Sequence, residues 1–166
     1  APYLEDGSNL EGIRGAVRWA NFAPATDAPL NFERLPFDHP IYIMYSSGTT
    51  GLPKCMVHGA GGTLIQHLKE HVLHGDLTRD DCLFYFTTCG WMMWNWLVSG
   101  LASGAAVMLY DGHPLQPPEA IWDFAARERF TVLGTSARWL AACAKLGLRP
   151  RDTHDLGALK AVLSTG

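Results

Sequence analysis

The sequence predicts an α/β fold in which strands and helices alternate, giving a mainly parallel sheet layered by helices. Three observations lead there. From Ile41 onward, short apolar runs recur at intervals. Between them lie longer segments with helical spacing or recognisable caps. Residues 1–39 show neither pattern clearly and are punctuated by Pro2, Pro24, Pro29 and Pro36 with Gly7, Gly12 and Gly15. The expected organisation is an irregular lead-in over 1–39, with one short helix around Leu10 to Phe22, and an α/β region over 40–166.

Each element of that region has its own signal. "IYIMY" (41–45) reads as a buried strand, followed by the Ser/Thr/Gly loop "SSGTTG" and a short apolar return, "KCMVHG". Leu64, Leu68 and Val72 recur every four residues, which predicts an amphipathic helix ending near Gly75. "CLFYFTT" (82–88) and "AAVMLY" (105–110) read as strands, with a buried helix in "GWMMWNWLVSGLASG" between them. Ile121, Phe124 and Ala125 mark one face of the next helix. "TVLGT" is a further strand. Ser136 is a candidate N-cap and Gly147 a candidate stop for the helix between them. "LKAVLSTG" starts one more strand.

Composition narrows the function classes. Charged residues make up 17% of the 166, against about 25% in an ordinary soluble domain. Apolar surface facing a partner, or a missing part of the same protein, would account for the deficit. The net charge of −3 leaves no basic footprint for nucleic acid. Cys82 to Tyr110 runs 29 residues without Asp, Glu, Lys or Arg, long enough for a membrane span. Gly90, Asn95, Ser99, Gly100, Ser103 and Gly104 interrupt it, and Asp111 follows rather than a positive flank. A soluble strand–helix–strand core is the expected reading, with Gly100 and Gly104 letting the helix approach the sheet. The four cysteines form no C-x-x-C pair, which fits a reduced, cytoplasmic setting. The chain starts without Met and stops after an apolar run, so both ends look cut.

The loop "YSSGTTGLPK" (45–54) carries the chemistry. Gly48 and Gly51 permit backbone angles that turn successive N–H groups inward, forming a concave anion site. Ser46, Ser47, Thr49 and Thr50 add hydroxyl donors, and Lys54 adds a compact positive charge suited to phosphate. The order of residues is neither the Walker A pattern nor G-x-G-x-x-G. His67 and His71 sit four apart on the following helix, but "HLKEH" is not H-E-x-x-H. No metal site is expected there, and a solvated polar face is. His58 either shapes the loop site or packs beneath it.

"YSSGTTGLPK" resembles the phosphate-binding signature of the AMP-forming acyl-CoA synthetases, adenylation domains and luciferases. Around it, "PFDHPIYIMYSSGTTGLPKCMVHGAGGTLIQHLKEH", "FTTCGWMMWNWLVSGLASGAAVMLYDG", "LGTSARWL" and "LSTG" resemble the acetoacetyl-CoA synthetase branch of that superfamily. The likeness runs from about Phe32 to Gly166 and is weaker before. It implies that 40–166 is part of the AMP-binding subdomain of the large N-terminal domain, truncated at its C-terminal end. It implies an acid–thiol ligase that joins acetoacetate to CoA through an acyl-adenylate. ATP, Mg²⁺ and CoA are the small molecules required, with the remainder of the parent chain as partner. By position, Ser46, Ser47, Gly48, Thr49, Thr50, Gly51 and Lys54 match the cradle for the β- and γ-phosphates. Gly166 opens a segment that approaches the nucleotide. Trp91, Met92 and Met93 match the acyl pocket, with core packing as their alternative; for Trp94 and Trp96 core packing is the expectation. No catalytic residue is assigned within the chain, and the chain alone is expected to be inactive. The alternatives are a synthetase for acetate or propionate, or a non-catalytic nucleotide- or phosphate-binding module.

Overall fold

A computed structural model describes residues 12–23, 29–46 and 51–165. The chain divides into two compact units, Ala1–Arg34 and Leu35–Gly166. In the first, the described residues form one helical turn, α1 (Trp19–Phe22). This is shorter than the helix expected from Leu10. Gly12 and Gly15 adopt φ of +85° and +77°, a left-handed backbone that an α-helix cannot contain.

The second unit opens with a two-stranded antiparallel ribbon, β1 (Pro40–Ser46) and β2 (Lys54–Gly59). Helix α2 (Ala60–Leu68) follows and runs on into a π-helical segment, Lys69–His74. Then come β3 (Cys82–Tyr85), α3 (Met92–Ser99) with a 3₁₀ turn at Gly100–Ser103, and β4 (Ala106–Met108). Helix α4 (Ala120–Arg127), β5 (Val132–Ser136), α5 (Ala137–Lys145), a single turn α6 (Pro150–Thr153) and β6 (Ala161–Thr165) complete it. Four strands form one parallel sheet in the order β4-β3-β5-β6. The parallel α/β architecture is thus as expected.

Alternation along the central strands sends side chains to two cores. Phe84 of β3 and Leu133 of β5 pack with Ile121, Phe124 and Ala125 of α4 and with Trp139 of α5. Phe84 stacks on Phe130, ring centroids 4.9 Å apart, and meets Phe124 edge-on at 5.8 Å. The other face holds Leu83, Tyr85 and Val132 against Trp96 and Leu97 of α3. Each fully buried side chain of this size contributes about 1.5–3 kcal/mol, so the two clusters hold the helices on the sheet. Helix α5 is bounded as its sequence suggests. Ser136 Oγ accepts the Trp139 N–H at 3.2 Å, and Gly147 takes φ +71° beyond the last turn.

Three expectations need correction. First, "IYIMY" is not a buried strand. It is half of a ribbon outside the main sheet, with Ile43 60% and Tyr45 71% exposed. Second, Leu64 and Val72 of the α2 region face outward, while His67 and His71 are buried. The inward pair keeps four-residue spacing, but the face is rotated from the apolar residues onto the histidines, and His71 finds its partners on α3. His71 Nε2 donates to Trp96 O at 2.9 Å, since a carbonyl can only accept, and lies 3.0 Å from Ser99 Oγ. Burial is the main cause lowering its pKa, partly opposed by the Trp96 carbonyl, so the ring is held neutral. Third, Gly100 and Gly104 have different roles. A Cβ at Gly100 would stand 2.7 Å from Leu83 Cδ2, so this glycine does bring α3 close to the sheet. Gly104, at φ +86°, instead ends the 3₁₀ turn. The uncharged stretch is β3, the eight-residue α3, its 3₁₀ turn and β4, and no helix among the described residues is long and apolar enough to cross a membrane.

One ion pair fastens the amino ends of the strands. Asp81, immediately before β3, is 2% exposed. Its carboxylate receives Lys160 Nζ at 2.7 Å and the Thr78 N–H at 2.8 Å. Lys160 immediately precedes β6, so the pair spans β3 and β6 across β5. Burial by itself would raise the Asp81 pKa. The hydrogen bonds from Lys160 and Thr78 outweigh it and hold the carboxyl at about 2, against an ordinary 3.8. A depressed folded-state value means the contribution is whole above about pH 4 and is lost as pH falls toward 2. Urea unfolding at stepped pH should show stability falling in that window. Asp81→Asn should cost about 1.5–3 kcal/mol at pH 7 and flatten the fall, because hydrogen bonds to a charged group are lost. An unchanged pH slope in the variant would show that another carboxylate is responsible.

Candidate functional site

At the carboxyl ends of the strands lies a cavity of about 800 Å³, the position at which open α/β sheets present ligand sites. Its walls come from the β1–β2 ribbon, α2 with its π-helical extension, the first turns of α3, Tyr85 of β3 and Leu163–Thr165 of β6. Apolar groups dominate, among them Tyr42, Met44, Val57, Met92, Met93 and Leu163.

Tyr85 forms the floor because β5 has no side chain beneath it. It pairs with Gly134 in the register, and a Cβ at Gly134 would overlap the Tyr85 ring. The ring therefore lies across β5 and its hydroxyl reaches the far strands. It donates to Thr135 O at 3.2 Å and meets Thr165 Oγ1 at 2.7 Å. This phenol is 4% exposed and spent on the protein itself.

A polar wall is built on α2 and its extension. Glu70 accepts Gln66 Nε2 at 2.6 Å and Trp96 Nε1 at 2.8 Å. These two bonds fix the carboxylate and the indole together. His67, 9% exposed, lines the cavity beside them. Burial is the main cause lowering its pKa. Nearby Glu70 opposes that and His58 adds to it, so the imidazole is the neutral form at neutral pH. Asn95, in the first half of α3, directs Nδ2 at Met44 Sδ, 3.7 Å away. Among the described residues, no group of three or more His, Cys, Asp or Glu side chains is placed to hold a metal ion.

The structure brings together part of the site anticipated from sequence. Ser46 and Lys54 are directly opposed at the mouth of the ribbon. Opposed residues in an antiparallel pair share a face. By that register they share the face of Tyr42 and Met44, which line the cavity. Gly51 is exposed in the connection between the two strands. Ser47, Gly48, Thr49, Thr50 and Gly166 lie outside the described residues. Met92 and Met93 line the cavity, whereas Trp91 caps the start of α3, is 71% exposed and is not among the lining residues. Trp96 is buried as expected of a core residue, yet it also lines the cavity. His58 lines the site. Tyr85, Gln66, Glu70 and Asn95 were not anticipated. Only a tyrosine at the end of one strand, with a glycine inside a later one, hints at Tyr85.

The chain matches the AMP-binding enzyme family over residues 9–166 and belongs to that family. Within it, the chain is similar to acetoacetyl-CoA synthetases. It is 62% identical to the acetoacetyl-CoA synthetase of Gallus gallus over 138 residues, covering 82% of this chain and 21% of that protein. A malonamoyl-CoA synthetase of Penicillium aethiopicum is 46% identical over 152 residues, covering 82% of this chain and 21% of the relative. The solved acetoacetyl-CoA synthetase of Streptomyces lividans superposes with a TM-score of 0.81 at 48% identity, over 88% of this chain and 23% of that one. The chain thus spans between a fifth and a quarter of the length of the proteins it matches.

Gly134→Ala should destabilise the chain by about 1–3 kcal/mol, the usual range for overpacking a core, because the Tyr85 ring must shift. Chemical denaturation and near-ultraviolet circular dichroism check this. A loss below about 0.5 kcal/mol would show that the ring does not depend on the glycine.

Proposed function

We propose that this chain supplies the phosphate loop and acyl cavity of an acid–thiol ligase, acting within a longer protein of the length of its relatives. The observation that carries the reading is the alignment of Ser46 and Lys54 on one face of a ribbon whose base borders an apolar cavity. A polyanion held at the mouth and a small organic acid in the cavity would lie end to end. The reaction class that needs this arrangement is carboxylate activation by ATP. The carboxylate oxygen attacks the α-phosphorus, the bond to the bridging oxygen breaks, and pyrophosphate leaves. The sulfur of CoA then attacks the acyl carbon and AMP leaves, giving the thioester. In the first step, charge accumulates on the leaving pyrophosphate. Donors arranged in advance around it lower the barrier.

The residues fit those roles by their chemistry. Ser46 donates a hydroxyl and Lys54 a compact cation. With Ser47, Gly48, Thr49, Thr50 and Gly51 they form the cradle in this reading, and Gly166 borders the nucleotide. Met92 and Met93 give a pliable apolar wall for a short acyl chain. Trp91, at the head of α3, serves better as a rim contact than as a wall. A divalent cation such as Mg²⁺ would neutralise phosphate charge. The described residues hold no cluster suited to it, so its ligands would be phosphate oxygens, water and other parts of the protein.

The substrate in this reading is a short acid bearing a second carbonyl. The acyl groups named for two relatives, acetoacetyl and malonamoyl, each carry a carbonyl one methylene beyond the acyl carbon. Acetoacetate is the lead candidate, and a cytoplasmic setting is consistent with free thiols at Cys55, Cys82, Cys89 and Cys143.

Lys54→Ala in the longer protein should reduce acid-dependent ATP–pyrophosphate exchange on the order of ten- to a hundredfold, the loss of one charge-assisted hydrogen bond to phosphate. Unaltered exchange would remove Lys54 from the phosphate role. The 166-residue chain alone should form no acetoacetyl-CoA, and thioester formation by it would overturn that part of the reading.

A further inference from the structure

We infer that Asn95 selects acids with a carbonyl oxygen at the β position, by donating its side-chain N–H to that oxygen inside the cavity. This rests on the ligase reading above.

Several polar lining groups are already engaged. The Tyr85 hydroxyl is committed to Thr135 O and Thr165 Oγ1. Glu70 is committed to Trp96 and Gln66. Asn95 differs. Its amide hydrogen meets only a thioether sulfur, Met44 Sδ at 3.7 Å, and among the described residues its side chain has no oxygen partner. A thioether is a weak acceptor, so a carbonyl oxygen displaces it at little cost. The contact also shows where the amide is aimed, since Met44 is itself a cavity wall.

Its place along α3 suits the role. Asn95 follows Met92 by three residues, so the two share a helix face, and both line the cavity. An acyl chain lying along Met92 and Met93 would bring a second carbonyl to the next turn. His58 and His67 also line the cavity, but on β2 and α2, His67 beside the Glu70 carboxylate. An acid lacking the oxygen would leave the amide facing hydrocarbon after expelling water. Such an unmet donor is the means by which a site rejects a close analogue. Acetoacetate and butanoate have the same carbon chain and differ at this position, so they isolate the contact.

The test uses the full-length enzyme that contains this chain. kcat/KM is measured for acetoacetate and butanoate, with folding followed by circular dichroism. The unaltered enzyme should prefer acetoacetate on the order of ten- to a hundredfold, and Asn95→Leu should erase most of that ratio. A ratio that survives in the variant, or equal losses on both acids, overturns the inference. So does an unaltered enzyme without the preference. Should Asn95→Leu fail to fold, Asn95→Asp keeps the shape while exchanging the donor for an acceptor. The ratio must collapse there too, and its survival overturns the inference. Absence of pyrophosphate release with every acid would instead overturn the ligase reading, and this one with it.

Discussion

The fit of the Tyr85 ring over Gly134 is the contact on which the site depends. Without a side chain on β5 at that point, the phenol lies flat across the strand and reaches Thr165 on β6. It closes the bottom of the cavity and joins the ends of two strands that do not pair with each other. Met92 and Met93 can form a wall only because there is a floor beneath them. A larger residue in β5 would lift the ring into the space that an acyl chain is proposed to occupy.

The second constraint is the mutual support of α2 and α3. Glu70 holds the Trp96 indole, and His71 holds the Trp96 carbonyl. One tryptophan is thus gripped at both its side chain and its backbone by the π-helical segment. That segment exposes apolar Leu73, 76% accessible, and turns His71 inward, an inversion of the usual pattern. Hydrogen bonds rather than apolar area decide which face is buried here. Of the inward polar groups, His71 Nε2 and Glu70 are met by α3 and His67 borders the cavity, while His71 Nδ1 is buried without a partner among the described residues.

How much of this was legible follows from what the signals report. Central parallel strands buried on both faces give continuous apolar runs, so β3 and β5 could be read directly, and β6, half-exposed at the sheet edge, from the short run "AVL". Ser136 and Gly147 marked α5 because capping is local chemistry. The ribbon was misjudged because "IYIMY" has the composition of a core strand, and nothing local says that the main sheet leaves it out. The inward His67 and His71 have the spacing of one helix face but a polar residue type, and what buries them lies on α3 and in the cavity wall, remote in sequence. Ser46 and Lys54 are singled out by loop chemistry and a specific motif, and the ribbon register sets them opposite one another. Glu70, Asn95 and Tyr85 act through partners 26, 51 and 80 residues away in sequence, which no window along the chain can see.

The sheet is fastened twice across the same gap. Asp81 and Lys160 join β3 to β6 at the amino ends, and Tyr85 and Thr165 join them at the carboxyl ends, both over β5. The first clasp is ionic and the second is neutral. They answer to different solvents. Protons and, through the exposed Lys160, dissolved ions act on the first, while neither has a charge to act on in the second. The floor of the cavity is therefore insulated from ionic conditions that loosen the opposite end of the same strands. Under the proposed ligase function, polyanions gathered near the cavity would not compete with the bond that keeps its floor in shape.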